Sequence, residues 1–401
     1  MSRIRLNANQ IHAGVPLPFD TFDDNGRLLL RRGFVIESAD QAERLIARGM
    51  YTMSGAAPAA GDSADPNTDP GNVLWSAGNA APKQQRVSVH ALLDETHRAL
   101  AELLTAPPED GCFAARLGDL ARTIQRACDL DADAALSRAL VVALTPYAVR
   151  HCLDCAIHVE LLLRQTQPDV ELRLSAVCAA LTMNLAAMTL HEDCHRQQGA
   201  PGPEQLETLR AHPENSARQL EALGVRDRLW LDMVRQHHEA TDGTGYPAGL
   251  KAADLRPESQ FLAAVDRYCV GISPSATRPG KRPGVALQEL LVDMGSKIDP
   301  RAASRLVREV GIHPPGTLVT LANGELAMVV ARTLNPKQPV VRSLTDSNGK
   351  IRPDPAKRLT SDARFAIKGT PPHTAATPAI RIEAMWLPVV VEEAVAATQP
   401  H

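Results

Sequence analysis

The chain has 401 residues, 44% of them hydrophobic and 22% charged, which are the proportions of a soluble globular protein with two or three domains. The formal net charge of -3 argues against a nucleic-acid-binding face, so we expect no nucleic acid partner. The seven cysteines are odd in number and no secretory signal precedes them, which indicates reduced thiols in the cytoplasm. We find no run of about 18 apolar residues and expect no membrane span.

Residues 1–53 are predicted to form a small β-rich module. Apolar and polar residues alternate through VPLPF, a turn follows at residues 23–26, and RLLLRRGFVI resumes the strand pattern. A helix should follow, with Ser38 and Gln41 as a capping box and Gly49 closing it near Arg48. Residues 54–86 are rich in Ala, Pro, Gly, Asp and Asn without periodicity, so we interpret them as a flexible linker.

Amphipathic runs with helical spacing continue through residues 87–312, and a helical bundle is the simplest way to bury their apolar faces. Residues 313–368 then change to short alternating strands with turns, which predicts an antiparallel meander. Residues 369–401 form a Pro-, Thr- and Ala-rich tail in which AIRIEAMWLPVVV can supply one more strand. The predicted fold is therefore mainly α, a helical bundle with a β-rich N-terminal module and a short C-terminal β meander.

The segment QHHEATDGTGYPAGL, residues 236–250, carries the strongest chemical signal. In the preceding helix the apolar positions Trp230 and Val234 lead to His237 at helical spacing, so His237 continues the buried face and His238 lies beside it. An isolated histidine pair would more often place one ring in the core and one in water. Here His212 and Asp266 belong to two further predicted helices, and helix-borne ligands that converge on one pocket are how a bundle builds a metal site.

This segment, with AHP before it and LAAVDRY after it, resembles the HD-GYP proteins, the HD-domain phosphohydrolases associated with cyclic di-GMP hydrolysis. The resemblance covers about residues 87–310. It implies two or more metal ions, usually iron or manganese, bound by an HD pair, the histidine of an HP motif, two histidines of HHE and a later aspartate. Of these ligands, His212, His237, His238 and Asp266 match.

The HD pair does not match. Aligning AALTMNLAAM, residues 179–188, on the family pattern places Met183 at the histidine, Asn184 at the bridging aspartate and Ala187 at the lysine. Gln260 and Cys269 stand where the family usually has an arginine and a second aspartate.

These departures have a physical consequence at the metal site. Two cations a few ångströms apart repel, and a shared carboxylate normally bridges them and offsets their charge. Asn184 is neutral and the thioether of Met183 is a soft ligand unsuited to manganese or oxygen-ligated iron. We therefore expect no two-metal site and no resident cofactor, with a single iron or manganese ion as the alternative.

The glycine loop that follows the histidines is intact. Its candidate ligand- or partner-binding residues are Glu239, Asp242, Gly243, Gly245, Tyr246, Pro247 and Gly249. The loop is equally well interpreted as a structural cap on the helix.

Two other clusters carry weaker signals. His191 and His195 at helical i and i+4 spacing form a possible replacement metal site, although a solvated helix end is the better interpretation. Cys152 and Cys155 lack the second pair that a zinc finger needs, so we interpret them as reduced thiols on a helix face.

The preferred function is a degenerate HD-GYP protein of bacterial cyclic di-GMP signalling. It would lack phosphodiesterase activity and bind a nucleotide or a protein partner, such as a cyclic di-GMP synthase domain, through the retained loop. The alternative is an active metal-dependent cyclic di-GMP phosphodiesterase that uses a reduced metal site.

Overall fold

The structure is a computed structural model that describes residues 3–5, 17, 20–22, 28–30, 34, 51–53, 84–371 and 381–392. The chain divides into two compact units, residues 1–79 and 80–401. The first unit contains a four-stranded sheet of order β1-β4-β2-β3 among its described residues. Its strands are β1 (Arg3–Arg5), β2 (Thr21–Phe22), β3 (Leu28–Leu30) and β4 (Tyr51–Met53).

Strands β2 and β3 pair antiparallel on either side of the turn predicted at residues 23–26. The described residues of this segment thus include four short strands, and the β-rich module over residues 1–53 stays a prediction. The helix predicted from Ser38 to Arg48 lies outside the described residues, and so does most of the predicted linker. Its last three residues, 84–86, lie in a strand, β5 (Gln84–Val87).

The second unit is dominated by a helical bundle, which agrees with the predicted fold class. Its helices are α1 (Val89–Thr105), α2 (Phe113–Leu130), α3 (Ala132–Val141), α4 (Tyr147–Arg164), α5 (Val170–Thr182), α6 (Met188–Arg196), α7 (Pro203–Ala222), α8 (Arg228–Gln236), α9 (Pro257–Ile272), α10 (Pro283–Val292) and α11 (Pro300–Val310).

Side-chain caps set where several of these helices begin. A hydroxyl or carboxylate oxygen accepts hydrogen bonds from the free backbone N–H groups of the first turn in five helices. The capping residues are Ser88, Asp131, Asp169, Asp227 and Asp299. These caps separate runs of sequence that apolar periodicity alone would join.

Helix α4 is the central element of the bundle. Every residue from Ala148 to Leu163 is buried, and the helix packs against α5 and α9. A helix surrounded by protein on all sides cannot hide polar side chains from the core, so each of them must find a partner there. The polar side chains of α4 and the partners they need in the core therefore mark where the candidate site lies.

One stretch of the described residues, Val170–Arg196, has the length and apolar composition to cross a membrane. It comprises α5, a short 3-10 turn (Leu185–Ala187) and α6. In this structure 67% of the apolar window is buried inside the bundle, which is the pattern of a core helix.

After the bundle the described chain forms a five-stranded antiparallel sheet of order β10-β6-β7-β8-β9. Its strands are β6 (Leu318–Leu321), β7 (Leu326–Ala331), β8 (Val340–Thr345), β9 (Ile351–Leu359) and β10 (Ile367–Gly369). Strands β6 to β9 are the predicted meander, and β10 returns to pair with β6. In the tail, a short helix α12 (Ile382–Met385) precedes β11 (Val389–Glu392), which pairs with β5 at the entrance to the bundle.

Candidate metal site

Three histidines from two neighbouring helices meet in the bundle. His212 lies on α7, and His237 and His238 follow the last turn of α8. One ring nitrogen of each residue lies within 4.8 Å of the corresponding atom of the other two. Helix α8 places them there because Trp230 and Val234 anchor its buried face, as the sequence spacing predicts.

Hydrogen bonds fix the tautomers of two of these rings. The Nδ1 atom of His212 lies 2.6 Å from the carbonyl oxygen of Leu209, and that of His237 lies 2.7 Å from the carbonyl oxygen of Val234. A carbonyl oxygen only accepts, so both Nδ1 atoms carry a hydrogen and both Nε2 atoms are lone-pair acceptors. The two Nε2 atoms face each other at 3.1 Å.

Two facing lone pairs at this distance repel unless a cation lies beside them. Protonation of His212 is disfavoured, because burial and the neighbouring His237 and His191 lower its pKa to about 3. Backbone carbonyls that orient the Nδ1–H groups are the usual support of histidine metal ligands. The donor geometry therefore fits one metal ion at this cluster.

Asp266 on α9 joins the histidine cluster to the central helix. Its Oδ2 lies 3.8 Å from Nδ1 of His238, and its Oδ1 lies 2.8 Å from Nε2 of His151 on α4. Burial alone would raise the pKa of Asp266, but the hydrogen bond from His151 and the surrounding imidazoles hold it well below its usual value. Burial alone would lower the pKa of His151, but the same bond and carboxylate raise it. Each side chain therefore favours the charged form of the other in a buried hydrogen-bonded pair.

The positions of the missing HD pair lie in the core beside this cluster. Met183 and Asn184 are buried at the end of α5. The side-chain amide nitrogen of Asn184 lies 3.9 Å from the sulfur of Cys152, and its side-chain oxygen Oδ1 has no hydrogen-bond partner among the described residues. Ala187 is also buried and carries no charge for a phosphate. This wall of the site thus offers one weak amide oxygen where a bridging carboxylate and a lysine would be needed.

The two histidines of the predicted replacement site contact different partners. The ring of His191 meets His212 edge-on with centroids 5.3 Å apart, whereas the ring of His195 stacks on Tyr147 at 3.8 Å. His191 therefore lies at the edge of the histidine cluster, and the expectation of a solvated helix end is wrong for it. Burial lowers the pKa of His191 to about 4, so this ring is neutral at physiological pH.

Glu239, which we assigned to a ligand-binding loop, organises that loop instead. Its buried carboxylate accepts hydrogen bonds from the backbone N–H groups of Ala248 (2.7 Å), Gly249 (3.1 Å) and Leu250 (3.0 Å). Three backbone donors on one carboxylate fold the loop back onto the end of α8. A structural role for Glu239 follows directly from these contacts.

The remaining loop residues divide by exposure and by backbone geometry. Gly243 and Gly249 adopt positive φ angles of 83° and 66°, a region that glycine adopts without strain. Tyr246 is half-buried with its ring 4.8 Å from that of His238, whereas Asp242 and Pro247 are exposed. The loop therefore covers the histidine cluster with Tyr246 and presents Asp242 and Pro247 outward.

A pocket of about 490 Å³ opens beside the cluster. His238 and Asp266 form one part of its wall, and Arg267, Arg278 and Lys281 form another. This volume is within the range of small-molecule sites. The metal donors thus share one cavity with Arg278 and with two ion pairs, Arg267–Asp293 and Lys281–Glu289, whose residues also line it.

His151 is the main site residue that the sequence interpretation missed. We had treated it only as a neighbour of two thiols, but it holds the carboxylate of Asp266. Helix α4 carries several polar residues along its buried length, among them Asp154, His158 and Glu160, so its sequence gave no sign that His151 is the one that meets Asp266.

Comparison with known proteins identifies the bundle. Residues 116–302 match the sequence profile of the HD domain. The chain is 29% identical over 176 residues to the Cyclic di-GMP phosphodiesterase PA4108 of Pseudomonas aeruginosa. The aligned region is 44% of this chain and 42% of that protein. Residues 116–302 are therefore an HD domain, and the two relatives support an HD-GYP assignment.

Two further similarities accompany this HD-GYP assignment. The Cyclic di-GMP phosphodiesterase PdeB of Borreliella burgdorferi is 27% identical over 149 residues, which are 37% of this chain and 39% of that protein. The chain thus spans about two fifths of the length of the curated relatives it matches. Bd1817, an HDG"Y"P protein from Bdellovibrio bacteriovorus, aligns with 76% of this chain and 98% of its own at 16% identity, with a TM-score of 0.46.

Proposed function

We propose that this HD-GYP protein is a regulator in cyclic di-GMP signalling that binds the dinucleotide without hydrolysing it. The names of the two curated relatives supply the ligand, since both are cyclic di-GMP phosphodiesterases. The pocket beside Asp266 supplies a place for it. We assign the protein to the cytoplasm, where its seven free cysteines stay reduced.

The main support for the proposed lack of hydrolysis is that Met183 and Asn184 occupy buried positions where the metal-binding pair would be needed. A metal ion at this site would supply an activated water and stabilise negative charge on the phosphate. His212, His237, His238 and Asp266 would hold one iron or manganese ion. A second hard cation would lack the bridging carboxylate that Asn184 replaces, and cleavage of a phosphodiester normally uses both ions.

The cationic wall of the pocket supports nucleotide binding. Arg278 donates to the carbonyl oxygens of Val270 (2.6 Å) and Gly271 (3.3 Å) at the end of α9, which fixes its position. Among the residues that the structure describes, no carboxylate forms an ion pair with it. Lys281 pairs with Glu289 on α10. Both side chains line the cavity, where they are placed to neutralise phosphate oxygens.

One observation favours the alternative, an active phosphodiesterase with a reduced metal set. His151 adds a fifth metal donor to the four that the sequence predicts, and it contacts Asp266 directly. Hydrolysis would then need His151 and Asn184 to do the work of the missing HD pair. The exposed Asp242 and Pro247 of the loop remain our proposed contact surface for a protein partner, such as a cyclic di-GMP synthase domain.

The test measures binding and turnover on the same purified full-length chain, stripped of metal and reloaded with excess Mn²⁺ or Fe²⁺. We expect cyclic di-GMP to bind, with no linear product detected by chromatography. Arg278→Ala combined with Lys281→Ala should weaken binding at least tenfold. The matched control Arg364→Ala, an exposed arginine paired with Asp362 in the C-terminal sheet, should leave it unchanged.

Two outcomes would contradict the proposal. Absence of binding by calorimetry would remove the nucleotide as ligand. Turnover that disappears in His237→Ala would establish the alternative enzyme, because His237 is buried within the metal cluster.

A further inference from the structure

The C-terminal sheet differs from the rest of the chain in charge. Residues 313–371 contain nine lysines and arginines against four acidic residues, although the whole chain has a formal net charge of -3. Four of these nine side chains pair with carboxylates. Among the residues that the structure describes, no carboxylate forms an ion pair with the other five, which are Lys337, Arg342, Lys350, Lys357 and Lys368. The sheet therefore carries an excess of positive charge.

Two of these free cations are direct neighbours in the sheet. Arg342 on β8 lies opposite Lys357 on β9 in the antiparallel register, so both side chains project from the same face. Like charges at directly opposed positions destabilise a sheet. Arg342 donates to the carbonyl oxygen of Pro355 at 3.2 Å, whereas the side chain of Lys357 is exposed. An anion from outside the chain would offset the repulsion between the two cations.

Exposed leucines lie beside this pair. Leu359 follows Lys357 by two residues on the same face of β9 and is 51% exposed. Leu334, in the loop between β7 and β8, is fully exposed, more so than any other large apolar side chain among the described residues. The hydroxyl of Thr360 donates to the carbonyl oxygen of Pro339, at the end of this loop, at 2.7 Å. The loop and the end of β9 are therefore neighbours.

Hydrogen bonds within the loop hold it in a shape that presents Leu334 to solvent. The hydroxyl of Thr333 lies 2.8 Å from the carbonyl oxygen of Asn335 and 3.0 Å from that of Gln338. The side chain of Asn335 donates to Oε1 of Gln338 at 3.0 Å and accepts from the backbone N–H of Lys337 at 3.1 Å. Because the loop is already ordered, contact through Leu334 would cost little conformational entropy.

The composition of this surface distinguishes among anionic partners. We define the basic-leucine patch as Leu334, Lys337, Arg342, Lys357 and Leu359. Protein interfaces are depleted in lysine and rely on aromatic residues and arginine, and single-stranded nucleic acids stack on aromatic side chains. The patch has no aromatic residue. Leucine beside lysine and arginine is typical of surfaces that lie on anionic lipid headgroups.

We propose that the basic-leucine patch binds the chain to the surface of an anionic membrane. Leu334 and Leu359 would enter the boundary between headgroups and acyl chains, and the three cations would contact the anionic headgroups. These headgroups would supply the counter-charge that Arg342 and Lys357 lack. Such binding is peripheral and involves no membrane span, because the patch belongs to a sheet and a loop. The proposal goes beyond nucleotide regulation and does not require nucleotide binding.

The test measures flotation of the purified full-length chain with lipid vesicles, without nucleotide. We expect binding to phosphatidylcholine vesicles that contain roughly one third phosphatidylserine, and at least tenfold weaker binding to pure phosphatidylcholine or in high salt. Lys337→Glu combined with Lys357→Glu should weaken binding at least tenfold, and so should Leu334→Ser combined with Leu359→Ser. All four side chains are exposed, so the fold should tolerate these changes.

Two matched controls change the same kinds of residue elsewhere. Leu206→Ser removes an exposed leucine from α7 and Arg98→Glu reverses an exposed cationic charge on α1, and both should bind vesicles as the parent chain does.

Three outcomes would each overturn the membrane surface. These are absence of vesicle binding by the parent chain, a double leucine variant that binds as the parent does, and binding to polyglutamate or duplex DNA as tight as binding to vesicles. The last two would indicate a partner recognised by charge alone. Since no nucleotide enters the assay, failure here leaves the regulator proposal standing.

Discussion

The two walls of the metal site differ in how their polar groups are satisfied. On the loop side, the carboxylate of Glu239 accepts three backbone N–H groups from Ala248 to Leu250, and the loop folds around it. On the side of the missing HD pair, Met183 and Ala187 are apolar and simply extend the core. These contacts give Glu239 a structural role in the retained loop, so the presence of the loop is by itself no argument for catalysis.

The largest effect is expected from a substitution at Gly245, which tests whether the loop side of the site is held by its own packing. A Cβ atom there would lie 2.3 Å from the backbone nitrogen of Ala240 and 2.5 Å from Cα of Glu239. Backbone cannot rotate aside as a side chain can, so we expect Gly245→Ala to lower the free energy of unfolding by about 3 kcal/mol. Denaturant unfolding of the purified chain measures this.

Gly369→Ala is the matched control for that substitution. No atom lies within 4 Å of its added Cβ, so the change should stay within about 0.5 kcal/mol. Equal effects of the two substitutions would show that Gly245 is not confined by the loop and that the structural explanation of the loop fails.

Much of this contrast was predictable from the sequence, and the reasons differ by region. Helical spacing placed His237 on the buried face of α8. His212 still meets His237 and His238 although it comes from another helix, and Asp266 approaches His238 to 3.8 Å, because the helices form a bundle. The β meander followed from alternating residues and turns at positions such as Asn323 and Gly324.

Other parts of the site were beyond reach of the sequence pattern. His151 pairs with Asp266 across 115 residues, and only packing of α4 against α9 decides that contact. The contacts of Glu239 were equally unpredictable. A carboxylate in a glycine-rich loop is a candidate ligand by sequence, and only the structure shows the three backbone N–H groups that it accepts. Spacing predicts which face is buried, whereas it does not predict which buried polar groups meet.

A second substitution restores the other wall of the site. Met183→His together with Asn184→Asp places a charge in a buried position, so without metal we expect unfolding free energy to fall by about 2 to 3 kcal/mol. Mn²⁺ at about 100 times its dissociation constant should return about 2.7 kcal/mol, because it binds the folded chain. Thermal unfolding with and without Mn²⁺ measures both effects.

The exposed substitution Asn348→Asp controls for the added charge and should respond to Mn²⁺ as the parent chain does. If Mn²⁺ stabilises the restored variant no more than it stabilises this control, the histidine cluster does not form a metal site that the HD pair can complete.

The smallest effect concerns a carboxylate whose partners are all side chains of this chain. Glu325 in the C-terminal sheet is buried and accepts hydrogen bonds from Arg358 at 3.0 and 3.1 Å, from Arg352 at 2.9 Å and from the hydroxyl of Ser343. Burial alone would raise its pKa, but these donors lower it from 4.5 to about 2. Unlike Asp266, Glu325 needs no metal ion to complete its surroundings.

Because the folded-state pKa of Glu325 lies below its unfolded value, its stabilisation is present in full above pH 4.5 and is lost as the pH falls toward 2. Glu325→Gln should therefore lower unfolding free energy by about 1 to 2 kcal/mol at pH 7, and by progressively less below pH 4.5. The exposed Asp354→Asn should change stability by under about 0.5 kcal/mol at either pH. A Glu325→Gln deficit equally large at pH 7 and pH 3 would show that lost packing, not the ionised carboxylate, stabilises this sheet.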